Sequence, residues 1–380
     1  MDPKEAKKSL SDDLFFIRGA SILLVVLIHV VGVEAVHGVR KFFSPDREDL
    51  RLLSHVIHSF NMAVMLIGSG VAVSLFGRPD TSFSEFVRKK LNKLIIPMLV
   101  WAPVFFLLQE LQRARPIVRE EWVALLGRLP GAWFPPYAIF WFVHALVACT
   151  LLSWLFKRVS APLGRWEGLV YVALSALLRM GALAWKANTD SQLVAYLEFI
   201  LYWNCFFGLG MALQPWLVPL RERLSRLPLA LQGLVPVGLF ALLVAWYSTF
   251  PQHDYESSRV LNGPLGFCMQ LTLALFVRNL TARWGGLAEG LRRRLVFTGS
   301  ISMIIYLFHI YFLSGARTVL QKVWPGAPLS LHLVLGCVVG LLGPVLLYRA
   351  LQGNRAFRWS IGLPPPPPAE PIPAALSPQG

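Results

Sequence analysis

The chain has 380 residues, of which 55% are hydrophobic and only 15% charged, with a mean hydropathy of +0.55. That balance excludes a soluble globular domain. The net charge of +15 raises nucleic acid as a partner, but the basic residues fall in short loops between apolar runs rather than in a basic domain, so the partner expected is the lipid bilayer and not nucleic acid.

Runs of about 20 apolar residues, enough to cross roughly 30 Å of hydrocarbon as a helix, recur along the chain. They predict ten spans at 14–37, 55–77, 94–112, 138–156, 166–187, 195–214, 230–250, 259–279, 296–316 and 331–350. Lipid cannot satisfy an open sheet edge, so the expected fold is an all-α integral membrane bundle of about ten transmembrane helices.

The N-terminal stretch MDPKEAKKSLSDDL mixes acidic and basic residues and leads into the first span without a small-residue cleavage site, so this span is expected to be retained. Arg18 and His29 both lie in that span. Eleven residues bring a helix to within about 20° of three full turns, so the two share one face about 16 Å apart. An ionisable group inside a span costs several kcal/mol unless it is paired or hydrated. A guanidinium suits a phosphate or carboxylate, and an imidazole can take a proton from a hydroxyl. The alternative is structural: Arg18 reaches the interface and His29 is packed and hydrogen-bonded.

The second span carries His55, His58 and Asn61 at i, i+3 and i+6, with Ser69 eleven beyond His58, a polar stripe directed inward. The basic stretch FVRKKLNKLIIP follows, with Arg88, Lys89, Lys90 and Lys93. Two longer loops, 38–54 and 113–137, are the expected acceptor-binding surface. The fourth span opens FWFVHAL, with Trp141 and His144; Arg179 in the fifth and Glu198 in the sixth are expected to pair or to contact a polar acceptor. Pro97, Pro103, Pro236, Pro264 and Pro344 fall inside spans, where kinks enclose cavities. A basic loop at 278–295 precedes the ninth span, which holds His309 among tyrosines.

Residues 1–355 read as one transmembrane domain, and 356–380 as a proline-rich cytoplasmic tail, extended or disordered. With both termini cytoplasmic, 22 of the 36 Lys and Arg residues fall inside and 12 outside, while Arg18 and Arg179 lie within spans. The four cysteines lie in four different spans, and no metalloprotease, phosphate-loop or nucleophile-elbow motif is present, so neither metal nor bound cofactor is expected.

Arg18 and His29 in the first span, HSFNMAVMLIGSG, the basic run ending in proline, FWFVHAL and SISMIIYLFHIYFL occur in an order and spacing that resembles the membrane-bound acyltransferase 3 family over nearly the whole chain. HSFNM with its basic loop, and FWFVHALVACTLLSWLFKRV, resemble the glucan biosynthesis protein C branch, associated with succinylation of periplasmic glucans. The resemblance implies transfer of an acetyl or succinyl group from cytosolic acyl-CoA, as co-substrate, to a hydroxyl of a periplasmic or cell-surface carbohydrate, at a bacterial inner membrane.

It also implies His29 as the catalytic residue, Arg18 holding the donor, and Arg88, Lys89, Lys90 and Lys93 meeting the phosphates of coenzyme A, with His58, Ser69, Trp141 and His309 around the substrates. Two departures stand out. Many members have an arginine pair where this chain has Lys90 and Lys93, and many have a glutamate in the fourth-span motif where this chain has no carboxylate. A transporter or flippase for a glycan or lipid precursor, with Arg18 and His29 on its path, is the competing reading; the absence of an internal repeat counts against it.

Overall fold

The computed structural model describes residues 3–32, 37–43, 47–77, 81–113, 119–249 and 255–364, with the backbone alone for 90–91, 111–113 and 119–121. Ten long apolar helices form a bundle: α1 (Pro3–Val31), α2 (Glu48–Phe76), α3 (Asn92–Arg113), α4 (Trp141–Lys157), α5 (Glu167–Lys186), α6 (Gln192–Ser225), α7 (Leu229–Ser248), α8 (Tyr255–Trp284), α9 (Ser302–Val323) and α10 (Leu329–Leu351). Among the described residues there is no strand. Each expected span finds its helix, and the chain is a multi-pass membrane protein. The prolines expected inside spans are all inside helices.

Two segments differ from the sequence reading. The basic stretch before the ninth span, read as a loop, is largely a helix, Gly286–Ser300, and the chain breaks at Ile301 before α9 begins. Residues 356–364, assigned to the tail, include most of a short helix, Arg355–Ser360, whose Ser360 carbonyl accepts a hydrogen bond from Trp101 Nε1 at 3.1 Å. The rest of the proline-rich tail lies outside the described residues.

Helix α1 sits at the centre, packed against α2, α8, α9, α10 and the helix Gly286–Ser300. Lipid supplies no hydrophobic force between apolar helices, so close backbone approach and side-chain hydrogen bonds hold such a bundle. Both devices are present. A Cβ on Gly19 would lie 2.0 Å from the Leu295 carbonyl oxygen and one on Gly299 would lie 1.9 Å from that of Phe15, so two glycines let α1 cross Gly286–Ser300 backbone to backbone. Gly70 and Gly210 do the same for α2 and α6.

Polar stitches join the same helices. Ser21 Oγ donates to Gln270 Oε1 at 3.0 Å, Asn61 Nδ2 to the Ser21 carbonyl at 3.0 Å, and Asn262 Nδ2 to Ser59 Oγ at 2.9 Å, tying α1, α2 and α8. At the end of the bundle where α1 begins, here the N-terminal face, buried Asp13 bridges Arg221 of α6, at 2.9 Å, and Arg278 of α8. These contacts hold the lower half of α1 between a cavity and the rest of the core.

Candidate active site

On the N-terminal face, α1, α2, α4 and the start of α3 enclose a cavity of about 390 Å³, within the range of small-ligand sites. Arg18, Ser69, Lys89 and Lys93 line it, as do Leu146, Thr150 and Met303 deeper in the bundle. A second cavity of about 220 Å³ adjoins it, sharing Val73, Phe76, Lys89 and Thr150 and adding Lys157. The Arg18 guanidinium makes no hydrogen bond or ion pair with any described residue. An unpaired cation at membrane depth in a cavity lined by further lysines is a ready site for a polyanion.

The basic stretch that supplies these lysines has an unusual backbone. Ser82 caps the short helix Phe83–Phe86, its side chain accepting from the Glu85 N–H, and the chain then passes through one π-helical turn, Val87–Leu91, before entering α3. Widening the helix at Val87–Leu91 changes which side chains face the bundle. Lys89, which also pairs with Glu85 at 2.5 Å, and Lys93 reach the cavity. Arg88 is exposed and lines neither cavity, and the Lys90 side chain lies outside the described residues. The segment Ile361–Leu363 closes the cavity from below; a Cβ on Gly362 would lie 2.8 Å from Lys93 Cα.

His29 stands about 16 Å above Arg18 on the same face of α1, from the helical rise, with Ile22, Val25 and Val26 buried between them. Its partner comes from α9. His309 is fully buried, and its ring meets that of His29 edge to face with centroids 4.9 Å apart. His309 Nδ1 lies 3.0 Å from the Ile305 carbonyl oxygen and 2.9 Å from that of Tyr306. Carbonyls only accept, so in the neutral ring Nδ1 carries the proton and Nε2 holds a lone pair. That lone pair faces His29 Nδ1 at 3.4 Å, and His29 Nδ1 is also 2.8 Å from the Val25 carbonyl oxygen.

Two acceptors thus claim the proton on His29 Nδ1. The Nε2 atom is left as the free lone pair, and the second bond of the imidazole fixes both tautomer and ring direction, as it does in histidines that act as bases. The half-buried His29 ring can present that nitrogen to a ligand while His309 stays sealed in the core.

The structure does not bring every expected residue to one place. Ser69 lines the N-terminal cavity, its Oγ donating to the Met65 carbonyl at 2.7 Å. His58, eleven residues earlier, lies towards the opposite face with its ring 4.8 Å from that of Tyr255 and its buried Nδ1 without a hydrogen-bond partner. Trp141 stacks on Trp203 at 4.9 Å, and His144 Nδ1 meets the Tyr196 hydroxyl at 3.1 Å. Arg179 and Glu198 pair at 3.3 Å, as expected. Sequence reasoning quoted the stretches that hold Thr150, Lys157 and Met303 but singled out none of the three, which gain significance from the cavities they line.

A family model described as an acyltransferase domain, that of acyltransferase 3, matches residues 12–349. The chain belongs to the acyltransferase 3 family. No curated protein and no solved structure matches it. An acyltransferase 3 enzyme joins two substrates, and this bundle offers it a basic cavity at one face and an oriented imidazole farther up the same helix.

Proposed function

We propose that this acyltransferase works in the bacterial inner membrane with its N-terminal face in the cytosol, moving an acetyl or succinyl group from acyl-CoA to a hydroxyl of a periplasmic or cell-surface carbohydrate. The observation that carries the reading is the unpaired Arg18 guanidinium in a cavity with Lys89 and Lys93, on the same helix face as the free Nε2 of His29. The excess of Lys and Arg in the loops of the N-terminal face supports the orientation.

The donor's nucleotide phosphates lie against Arg18, Lys89 and Lys93, and its slender pantetheine arm spans the aliphatic layer towards His29. His29 Nε2 takes the proton of the acceptor hydroxyl as its oxygen attacks the thioester carbonyl. The new O–C bond forms, the C–S bond breaks, and the proton passes from His29 to the departing thiolate. The products are an ester and free coenzyme A, so no redox partner or metal enters the balance. Lysine at the donor site in place of arginine keeps the charge and gives up the bidentate fork, which leaves Arg18 as the one forked contact.

The test is mass spectrometry of periplasmic and surface glycans from cells with the wild-type protein, with His29→Ala at equal membrane level, and with no protein. An ester increment is expected with wild type alone, and its mass names the acyl group. Identical glycans in all three would overturn the reading.

A further inference from the structure

On the face opposite the N-terminus, the end of α5 and the starts of α6 and α8 enclose another cavity, of about 530 Å³. It shares no lining residue with the two basic cavities. Aromatic rings and charges of both signs line it: Tyr202 and Trp203 with Arg179, Glu198, Glu256 and Arg259.

Trp203 is a rigid wall behind Tyr202. It is 4% exposed and stacked at 4.9 Å on Trp141, with an interplanar angle of 29°. Arg259 is equally buried, its guanidinium 5.0 Å from the Trp203 ring and 5.5 Å from that of Tyr255. One of its nitrogens donates to the Tyr202 hydroxyl at 3.5 Å, while Nε is buried without a hydrogen-bond partner. A buried donor left unsatisfied is costly, and a charged one more so. Glu198 is held in place by Arg179 and Lys186, each at 3.3 Å, and has acceptor capacity to spare.

The chemistry selects the ligand. An acyl chain would strip water from four charged groups with nothing in exchange. A bare anion would meet two carboxylates. A sugar ring satisfies the whole lining: its C–H face covers an aromatic plane, its hydroxyl oxygens accept from guanidinium, and its hydroxyl protons go to carboxylate. The histidines lie behind the same wall, since the Tyr255 ring that faces Arg259 packs against His58 at 4.8 Å and His55 at 5.1 Å.

Resting on the carbohydrate O-acyltransferase reading, we propose that this cavity is the acceptor subsite, seating a sugar ring against the partly exposed Tyr202, which Trp203 backs, with the Arg259 guanidinium donating to one hydroxyl oxygen and Glu198 accepting from another. The glycan then runs past Tyr255 and His58 towards His29, where a neighbouring hydroxyl is acylated.

The experiment compares wild type with Trp203→Ala, Tyr202→Leu and Arg259→Lys, the last two chosen as milder changes to a buried wall. For each, the glycan ester is measured in cells at equal membrane level, and binding of labelled acetyl-CoA and succinyl-CoA is measured on the purified full chain in nanodiscs. The ester should fall about tenfold or more, the worth of one charge-assisted hydrogen bond, with donor binding unchanged. Full ester in all three variants would overturn the subsite and leave the acyltransferase reading standing. Loss of donor binding together with the ester in all three would show the cavity wall to be structural and equally overturn it. Glycans without ester in wild-type cells would remove the carbohydrate reading and the subsite with it.

Discussion

His309 Nε2 lies 3.4 Å from Nδ1 of His29, and both of its own Nδ1 contacts are backbone carbonyls of α9. The second histidine therefore positions the first: its lone pair, with the Val25 carbonyl, keeps the His29 proton on Nδ1 and frees Nε2. The fourth-span stretch FWFVHAL holds no carboxylate, and the ring nitrogen that faces His29 comes from the ninth span.

Replacing His309 by alanine should lower the rate of acyl transfer about 10- to 100-fold, the range seen when a histidine's orienting partner is removed at metal sites. Replacing His29 itself should cost about 10²- to 10⁴-fold, as for loss of a general base. Acyl-CoA binding should survive both changes, and single-turnover kinetics with labelled donor separates the two effects. Equal losses in binding and turnover would assign His309 to the donor site.

Arg18 should act on binding. Among the described residues it is the one forked cation lining the N-terminal cavity, and none of them pairs with its guanidinium. Arg18→Ala should raise the KM for acyl-CoA about 10- to 100-fold, the loss of one charge-assisted contact. Arg18→Lys should recover part of that, since charge returns without the fork. Steady-state kinetics over a range of donor concentrations reads this directly; a changed kcat at unchanged KM would place Arg18 in the chemical step.

The helix count was legible because a span must be apolar over its full length, and the shared face of Arg18 and His29 was legible from helical rise and rotation alone. The pairing of His29 with His309 was not, because 280 residues separate them and no local pattern says which faces of α1 and α9 meet. His58 and Ser69 show the limit of the same reasoning. They do share a face of α2, but eleven residues of rise put one beside Tyr255 and the other in the basic cavity. The role of Gly19, Gly70, Gly210 and Gly299 was silent for a related reason: glycine is common in membrane helices, and only the partner helix reveals which glycine is a crossing point. The helix Gly286–Ser300 was hidden by its arginines, which read as a loop although they are compatible with a helix packed on α1.

Asp13 should be the most sensitive charge for folding. It is 2% exposed and joins α1 to α6 and α8 through Arg221 and Arg278, whose two positive charges it partly offsets at the N-terminal face. Asp13→Asn keeps the shape but leaves two arginines without their carboxylate. Removing one partner of a buried pair costs about 3–5 kcal/mol, so the variant should show a sharply reduced level of detergent-stable monodisperse protein. Fluorescence-detected size exclusion measures that level.

The crossing of α1 with the helix Gly286–Ser300 carries the last prediction. Gly19 and Gly299 face each other's backbones, so a methyl group on either meets a carbonyl oxygen near 2 Å, which side-chain rotation cannot relieve. Gly299→Ala should therefore push the helix Gly286–Ser300 away from α1, at a cost of about 1–3 kcal/mol for an overpacked contact, and lower the thermal midpoint of the purified protein. Gly19 lies next to Arg18, so Gly19→Ala should lower the midpoint and also disturb the wall of the cavity that Arg18 lines, raising the KM for acyl-CoA. Gly290→Ala is the control. It sits on the same helix as Gly299 with open space around its Cβ position, and alanine has the better helix propensity, so its midpoint should stay level or rise. A fall at Gly290 equal to that at Gly299 would mean that the helix tolerates no change anywhere, and the crossing would lose its special standing.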